Sequence, residues 1–276
     1  MIRSEKLYVA LLFSAFLSAL ACNLQGQEYT GNENAGILSG DLLLLSPEEK
    51  FGMANKLYTE NNFDEAVVLY EQIIDSGYRS AELFYNLGNA YYRSGNIAAA
   101  ILNFERAALI APGDEDIRFN LELARNRIRD RIEKLPVFFL NRWWQEARNL
   151  VDAGTWAAAS VSFFIVTLVF LSVFLFSASV IMKKIFFLLA VMVFILSALS
   201  FSLGLDQRNY LRNHNTAIVF SPAVPVKSSP DYGSPDLFII HEGTKVHVGE
   251  SFGDWCSVRL SDGNQGWLPI DAIEMI

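Results

Sequence analysis

The sequence predicts a multidomain membrane protein in three parts: an α-helical repeat region, a two-helix transmembrane hairpin and a small all-β module. Three observations carry that expectation. A pattern of small and aromatic residues recurs between residues 47 and 114. Two long runs without charge lie between Ala153 and Leu205. Beyond residue 215 the chain breaks into short β-rich runs separated by Pro and Gly.

Composition points the same way. Hydrophobic residues make up 52% of the 276, beside 19% charged, and the mean hydropathy is +0.25. That apolar surplus is gathered into a few stretches, as membrane segments require. The formal charge of −8 argues against a nucleic-acid partner. Cys22 and Cys256 are the only cysteines, so no disulfide framework organises the fold.

Residues 1–22 read as an export signal. Arg3 and Lys6 give a basic start, Leu7 to Leu20 an apolar stretch, and Ala19-Leu20-Ala21 a small-x-small cleavage pattern. The apolar stretch is short for a transmembrane helix. Cys22 leaves two fates open: ordinary cleavage or retention as an anchor, and lipidation of the thiol after cleavage. A bacterial lipobox prefers Leu where Ala19 stands, which weighs against lipidation. Residues 23–46 read as a linker ending in Ser46-Pro47-Glu48-Glu49, where Ser46 can cap a helix with Pro47 in its first turn.

In residues 47–114, Phe84, Leu87, Gly88, Tyr91, Gly95, Ala100, Phe104, Ala107 and Pro112 fall on the 34-residue helix-turn-helix pattern of tetratricopeptide repeats. One period earlier the match persists through Met53, Ala54, Leu57, Ala66, Tyr70 and Ile73. Gly88 and Ala100 are small where two helices cross closely, and Pro112 ends the second helix. Two such units leave an apolar face open. Ile117, Leu121, Ala124, Ile128 and Ile132 recur at helical spacing, so residues 115–135 are expected to form a capping helix. Its far end carries Arg125, Arg127, Arg129, Arg131 and Lys134, either as a solvated face or as a contact for anionic headgroups.

Trp143, Trp144 and Trp156 bracket the approach to the bilayer, where indoles prefer the interface. Residues 153–182 and 185–205 each exceed the roughly 20 residues a spanning helix needs. Lys183 and Lys184 alone separate them and are expected at the hairpin turn. An exported N-terminus places the repeats outside, this turn in the cytoplasm and the C-terminus outside again. The two lysines agree with the positive-inside rule, and the arginines before Trp143 do not.

Residues 215–276 hold β-rich runs at 217–220, 224–226, 237–240, 245–248, 255–260 and 266–268, with a hairpin signal at Asp262-Gly263-Asn264. Five or six short strands in this length suggest a small barrel. The strings Val224-x-Val226-x-Ser228-x-Pro230, Glu242-Gly243-Thr244-x-Val246-x-Val248, Trp255-x-x-Val258 and Asp262-Gly263-x-x-Gly266-Trp267-Leu268 resemble a bacterial SH3 domain.

No catalytic constellation is legible. His214, His241 and His247 lack metal-ligand spacing, and a turn at Glu242-Gly243 is expected to separate the last two. Cys256 is expected to be a buried, inert thiol. No nucleophile elbow, Walker loop or dinucleotide fingerprint occurs. An enzyme is therefore not expected, nor a cofactor or bound metal. Binding surfaces remain. The first helices of the repeats should line a concave groove, in which Phe51, Asn55 and Tyr58 align with Tyr85, Asn89 and Tyr92 one period on. Asn can hold a peptide backbone as donor and acceptor, and aromatic rings can cover its side chains. The repeat's own pattern also favours these residues, so a structural role stays open. On the β module, Trp255 and Trp267 are the candidate surface.

Taken together, an export signal, two tetratricopeptide units, a tight hairpin and an SH3-like module resemble BatE-like members of the Bacteroides aerotolerance (Bat) family. Phe84-Tyr85-Asn86-Leu87-Gly88-Asn89-Ala90-Tyr91-Tyr92 and Phe238-Ile239-Ile240-His241-Glu242-Gly243-Thr244-Lys245-Val246 carry the likeness most closely. The one departure is Ile240, where Leu is expected, a swap of nearly equal volume. The resemblance implies a MoxR-type AAA ATPase and membrane-anchored von Willebrand factor A-domain proteins of the same operon as partners. It also implies a link to tolerance of oxygen or oxidative stress, although nothing in composition or spacing shows a redox role. Two functions follow: a scaffold on the periplasmic face of the bacterial inner membrane, or an envelope sensor whose SH3-like module binds peptidoglycan peptide. Exposure of Trp255 and Trp267 discriminates between them.

Overall fold

Helix α1 (Pro47–Thr59) starts where the capping signal predicts. Ser46 Oγ accepts from the Glu49 N–H at 3.3 Å, and the Glu49 carboxylate accepts from the Ser46 N–H at 2.8 Å. Two of the orphan donors at the helix start are thereby satisfied. The computed structural model describes residues 45–132, 138–212 and 215–276. The export signal, nearly all of the linker, and His214 lie outside the described residues.

Helices α2 (Phe63–Asp75), α3 (Ala81–Ser94) and α4 (Ile97–Ile110) complete two helical pairs. Ser80 caps α3, and Gly95, at φ +94°, closes it in the left-handed conformation that favours glycine. Gly88 is small for the predicted reason: a Cβ there would stand 2.7 Å from the Phe104 ring. Phe104, Ala100 and Ala107 are buried, Ala107 beside Phe84 of the same pair and Ile117 of the helix that follows.

Helix α5 (Glu115–Arg125), capped by Asp114, supplies the expected cover, but it is shorter than predicted. It ends at Arg125, not near residue 135. Ile117, Leu121 and Ala124 are buried one 34-residue period after Leu83, Leu87 and Ala90. α5 thus stands as the first helix of an unfinished third unit. Ile128 and Ile132, which extended the helical spacing in sequence, pack instead against the repeat–sheet junction and the β core.

Helix α6 (Phe139–Arg148) leads into α7 (Ala153–Phe176) and α8 (Val180–Arg212), which are long and apolar enough to cross a membrane. At 1.5 Å per residue, α7 alone is about 36 Å long. The hairpin turn lies at Ser177–Ser179, and Lys183 and Lys184 fall in the first turns of α8. This corrects the predicted turn and the predicted start of the second apolar helix. Ser177 adopts extended backbone (ψ 137°) and ends α7 before the lysines are reached. Between the helices, Ser160 Oγ donates to the Ser197 carbonyl at 3.1 Å and Ser197 Oγ to the Ser160 carbonyl at 2.9 Å. Small residues let the backbones approach, as in helix packing within lipid. The large side chains point outward: Phe176 is 89% exposed and Ile181 71%.

Residues 216–275 form one antiparallel sheet: β1 (Thr216–Val219), β2 (Ala223–Lys227), β3 (Asp236–His241), β4 (Lys245–Phe252), β5 (Trp255–Arg259), β6 (Gln265–Pro269) and β7 (Ile273–Met275). Six fall on the predicted runs, and β7 was not foreseen. Strand order is β3-β2-β6-β5-β4-β1-β7, with β3 and β7 at its edges. Gly266 permits the β6–β2 crossing, where a Cβ would meet Val226 Cγ1 at 2.6 Å. Val219, Val226, Ile240, Val246, Val258 and Leu268 share one core.

The repeats and the sheet belong to one compact unit, Leu45–Ile276. Strand β1 is buried along its whole length because it serves two cores. Ala217 and Val219 point into the β core, while Ile218 enters the repeat core beside Ile101, Leu102 and Leu121.

Candidate functional site

The predicted groove residues lie on α1 and α3, and all six are half-buried. Phe51 meets Tyr70 edge-on at 5.9 Å, and Tyr58 meets Phe63 at 5.3 Å. Asn55 Oδ1 accepts from the Tyr70 hydroxyl at 2.6 Å and from Asn86 Nδ2 at 3.3 Å. One period on, Asn89 Oδ1 accepts from Asn120 Nδ2 at 3.3 Å, and the same Nδ2 donates to the Tyr85 hydroxyl at 2.7 Å. The Arg127 guanidinium lies 5.3 Å from the Tyr92 ring centre.

Sequence reasoning missed this amide ladder. Asn86 and Asn120 are themselves one 34-residue period apart, a signal that was available. Each links its helix to the preceding first helix, so Asn55 and Asn89 are partly structural. Their remaining capacity is specific. Among the described residues, the carboxamide nitrogens of Asn55 and Asn89 donate to nothing within the chain. Asn55, Tyr58 and Asn89 meet, with Tyr70 and Asn86, around a hollow of about 220 Å³, whereas Phe51, Tyr85 and Tyr92 do not line it. The face continues onto α5 with Phe119 (66% exposed) and Leu123, one period after Tyr85 and Asn89.

The two β-module indoles separate. Trp255 is buried, 7% exposed, with Tyr232 packed against it at 4.8 Å. Trp267 is half-buried and lines an open cleft of about 870 Å³ with His247, Arg259, Ser257 and Leu237. His241 ends β3 and His247 lies in β4, separated by Gly243 at φ +82°, as the expected turn requires. Burial pushes the His247 imidazole below its ordinary range, and Lys245 and Arg259 add to that. Cys256 is 1% exposed, and burial pushes its thiol up to about 11.

The His241–Thr244 turn has a partner that the sequence did not reveal. Asp130 accepts from the His241 N–H at 2.7 Å and from Thr244 Oγ1 at 2.8 Å, and the His241 Nδ1 lies 2.7 Å from its other oxygen. Beside it, Glu105 of α4 pairs with Arg125 and, at 2.8 Å, with Lys245 of β4. Burial would raise the Glu105 carboxyl, but the Lys245 and Arg125 charges outweigh it and hold it below its ordinary value. Arg106 adds a third tie, donating to the Met275 carbonyl at 2.8 Å and pairing with Glu274 at 3.0 Å. Part of the family-like string from Phe238 to Val246 is therefore a docking turn. No group of three or more metal-ligating side chains gathers among the described residues.

First helices of stacked pairs, lining a groove with unused amide donors, define a protein-binding helical repeat. Residues 51–115 match the family model described as tetratricopeptide repeat. No curated relative matches the chain.

Proposed function

We propose that this chain is a membrane-anchored scaffold that holds an extended segment of a partner protein in its repeat groove. The observation that carries the reading is the pair of free carboxamide donors on Asn55 and Asn89, one period apart beside an open hollow. Their oxygens are fixed by internal bonds, so the nitrogens are oriented in advance for a peptide's carbonyls. The outward apolar faces of α7 and α8 support a bilayer anchor, since no large apolar surface stays in water without cause. With an exported N-terminus, the repeats and the sheet face the periplasm of a bacterial inner membrane, and Lys183 and Lys184 lie near the cytoplasmic end. The sheet serves as an SH3-like barrel. The family likeness suggests a MoxR-type ATPase and von Willebrand factor A-domain membrane proteins as partners, in a complex linked to oxygen tolerance. The chain acts by binding and not by catalysis.

The ladder dictates the test. Asn55→Ala with Asn89→Ala would also remove bonds to Tyr70, Asn86 and Asn120. Asn55→Asp with Asn89→Asp keeps each acceptor oxygen and replaces each donor with a carboxylate oxygen that repels a peptide carbonyl. Each lost hydrogen bond should cost about 0.5–1.5 kcal/mol, so partner affinity should fall on the order of tenfold. Membrane crosslinking and mass-resolved pull-down of the Asp double variant measure it. Undiminished recovery of all partners at an unchanged melting temperature would rule the groove out.

One observation favours a second reading. Trp267 borders the large cleft on the sheet, so a peptidoglycan peptide could lodge there. Burial of Trp255 removes half of the expected aromatic platform. Retained binding to isolated peptidoglycan by Trp267→Ala would eliminate it.

A further inference from the structure

Helix α6 is amphipathic, and among the described residues nothing covers its apolar face. At 100° per residue, Phe139, Leu140, Trp143 and Ala147 fall on one side and Asn141 and Gln145 on the other, with Arg142 and Glu146 along the edge beside Phe139. Phe139 is 55% exposed, Leu140 52% and Trp143 60%. Phe139 and Trp143 stack edge to face at 5.7 Å, an aromatic strip left exposed among the described residues. At the Phe139 edge of this face, Arg142 and Glu146 pair at 3.2 Å.

The position of α6 says what covers this strip. Its end is tied to both helices of the hairpin where their apolar runs stop. Trp156, in the first turn of α7, donates from Nε1 to the Arg148 carbonyl at 3.1 Å. Asp206, the first charged residue after the apolar run of α8, accepts from Trp144 Nε1 at 3.0 Å and pairs with Arg148 at 3.5 Å. Arg148 also lies over the Tyr210 ring at 4.1 Å. A short helix held at that level, with aromatic and aliphatic side chains on one face, amides on the other and an ion pair along its edge, matches the boundary between headgroups and acyl chains.

We propose that α6 is an interfacial helix whose Phe139–Leu140–Trp143 face lies in the lipid of the bilayer that α7 and α8 cross, on the side that carries the repeats and the sheet. The inference rests on the membrane reading above. It adds a second lipid contact, lateral to the hairpin. That contact has a mechanical consequence, because Gly113, at the end of the second repeat unit, lies against the Leu150 carbonyl just past α6. The repeats therefore touch the segment that leaves this helix, and their groove is held in orientation to the bilayer through it.

The test uses the full chain with Cys22→Ala and Cys256→Ala, reconstituted in phosphatidylcholine–phosphatidylglycerol nanodiscs. Single cysteines at Leu140, Gln145 and Leu171 carry an environment-sensitive fluorophore, and the acyl chains carry bromine at shallow or deep positions. The expected result is strong quenching at Leu140 by shallow bromine, strong quenching at Leu171 by deep bromine, and little at Gln145. Quenching at Leu171 with none at Leu140 overturns the interfacial helix and leaves the hairpin in place. No quenching at Leu171 overturns the membrane reading, and this inference with it. Leu140 shielded from water but unquenched by lipid, with crosslinks to a second copy through position 140, assigns the strip to a dimer contact and also overturns the proposal.

Discussion

Glu105 is 5% exposed between two cations from different parts of the chain, Arg125 of the cover helix and Lys245 of the sheet. Removing the anion leaves both cations partly buried without it. Glu105→Ala should therefore destabilise the protein by about 3 kcal/mol, at the low end for breaking a buried pair because both cations keep some water. A thermal melt of the detergent-solubilised chain measures the loss. Replacing all three residues together with Leu, Met and Met should cost far less, since a buried ion network is often no more stable than well-packed apolar groups. The carboxyls of Glu105 and Asp130 are both held below their ordinary values of 4.5 and 3.8 despite burial, by the neighbouring cations and by the His241 and Thr244 donors respectively. Depressed native values mean that their stabilisation is complete above those ordinary values and is lost as pH falls below them. The repeat–sheet junction should hold at neutral pH and loosen on acidification below about pH 4, with Glu105→Gln removing part of that dependence. Hydrogen exchange at residues 241–245 reads the change. Cys256, with its raised thiol, should resist maleimide until the chain is denatured.

At the scale of elements, Gly88 and Phe104 decide whether the second pair closes. A Cβ at residue 88 stands 2.7 Å from the rigid ring, so Gly88→Ala should cost about 1–3 kcal/mol despite a better helix propensity. Ala100→Trp, at a position with no exposure, should cost at least as much. Unchanged melting of either variant would show that the assigned register is wrong. Strand β1 is the other decisive element. Its run Thr216-Ala217-Ile218-Val219-Phe220 does not alternate in polarity, the signature of a strand buried on both faces. Ile218→Ala empties space in the repeat core and should cost about 2–5 kcal/mol, although Ile218 belongs to the sheet.

For the whole molecule, the repeats and the sheet share one core, and α6 is tied to both helices of the hairpin. Protease added to spheroplasts should cleave the soluble body and spare a fragment containing α7 and α8. Protection of the repeats would place them on the cytoplasmic side. The shared core makes a deletion of residues 215–276 a poor probe of sheet function. It would also uncover Ile101, Leu102 and Leu121 and leave Glu105 without Lys245.

Local rules were enough for much of this chain. Cap chemistry at Ser46, the long uncharged runs and the turn residues of the sheet each act within a few residues of themselves, and the small residues at 88 and 100 act within one repeat unit. They fixed where most elements lie and that the first helices share a groove. The register of the groove was legible because its period is the period of the fold. What Asn55 and Asn89 do there was not, since each amide has two ends and only contacts across helices show which end is used. Likewise Ile128 and Ile132 kept helical spacing but left the helix, because burying them at the repeat–sheet junction and the β core outweighed continuing an exposed turn. The docking of Asp130 on the His241–Thr244 turn and of Lys245 on Glu105 joins residues more than a hundred positions apart. Periodicity carries no information at that distance. The tertiary structure alone decided it, because burial of Ile218 and neutralisation of Glu105 are satisfied only when both halves are folded together.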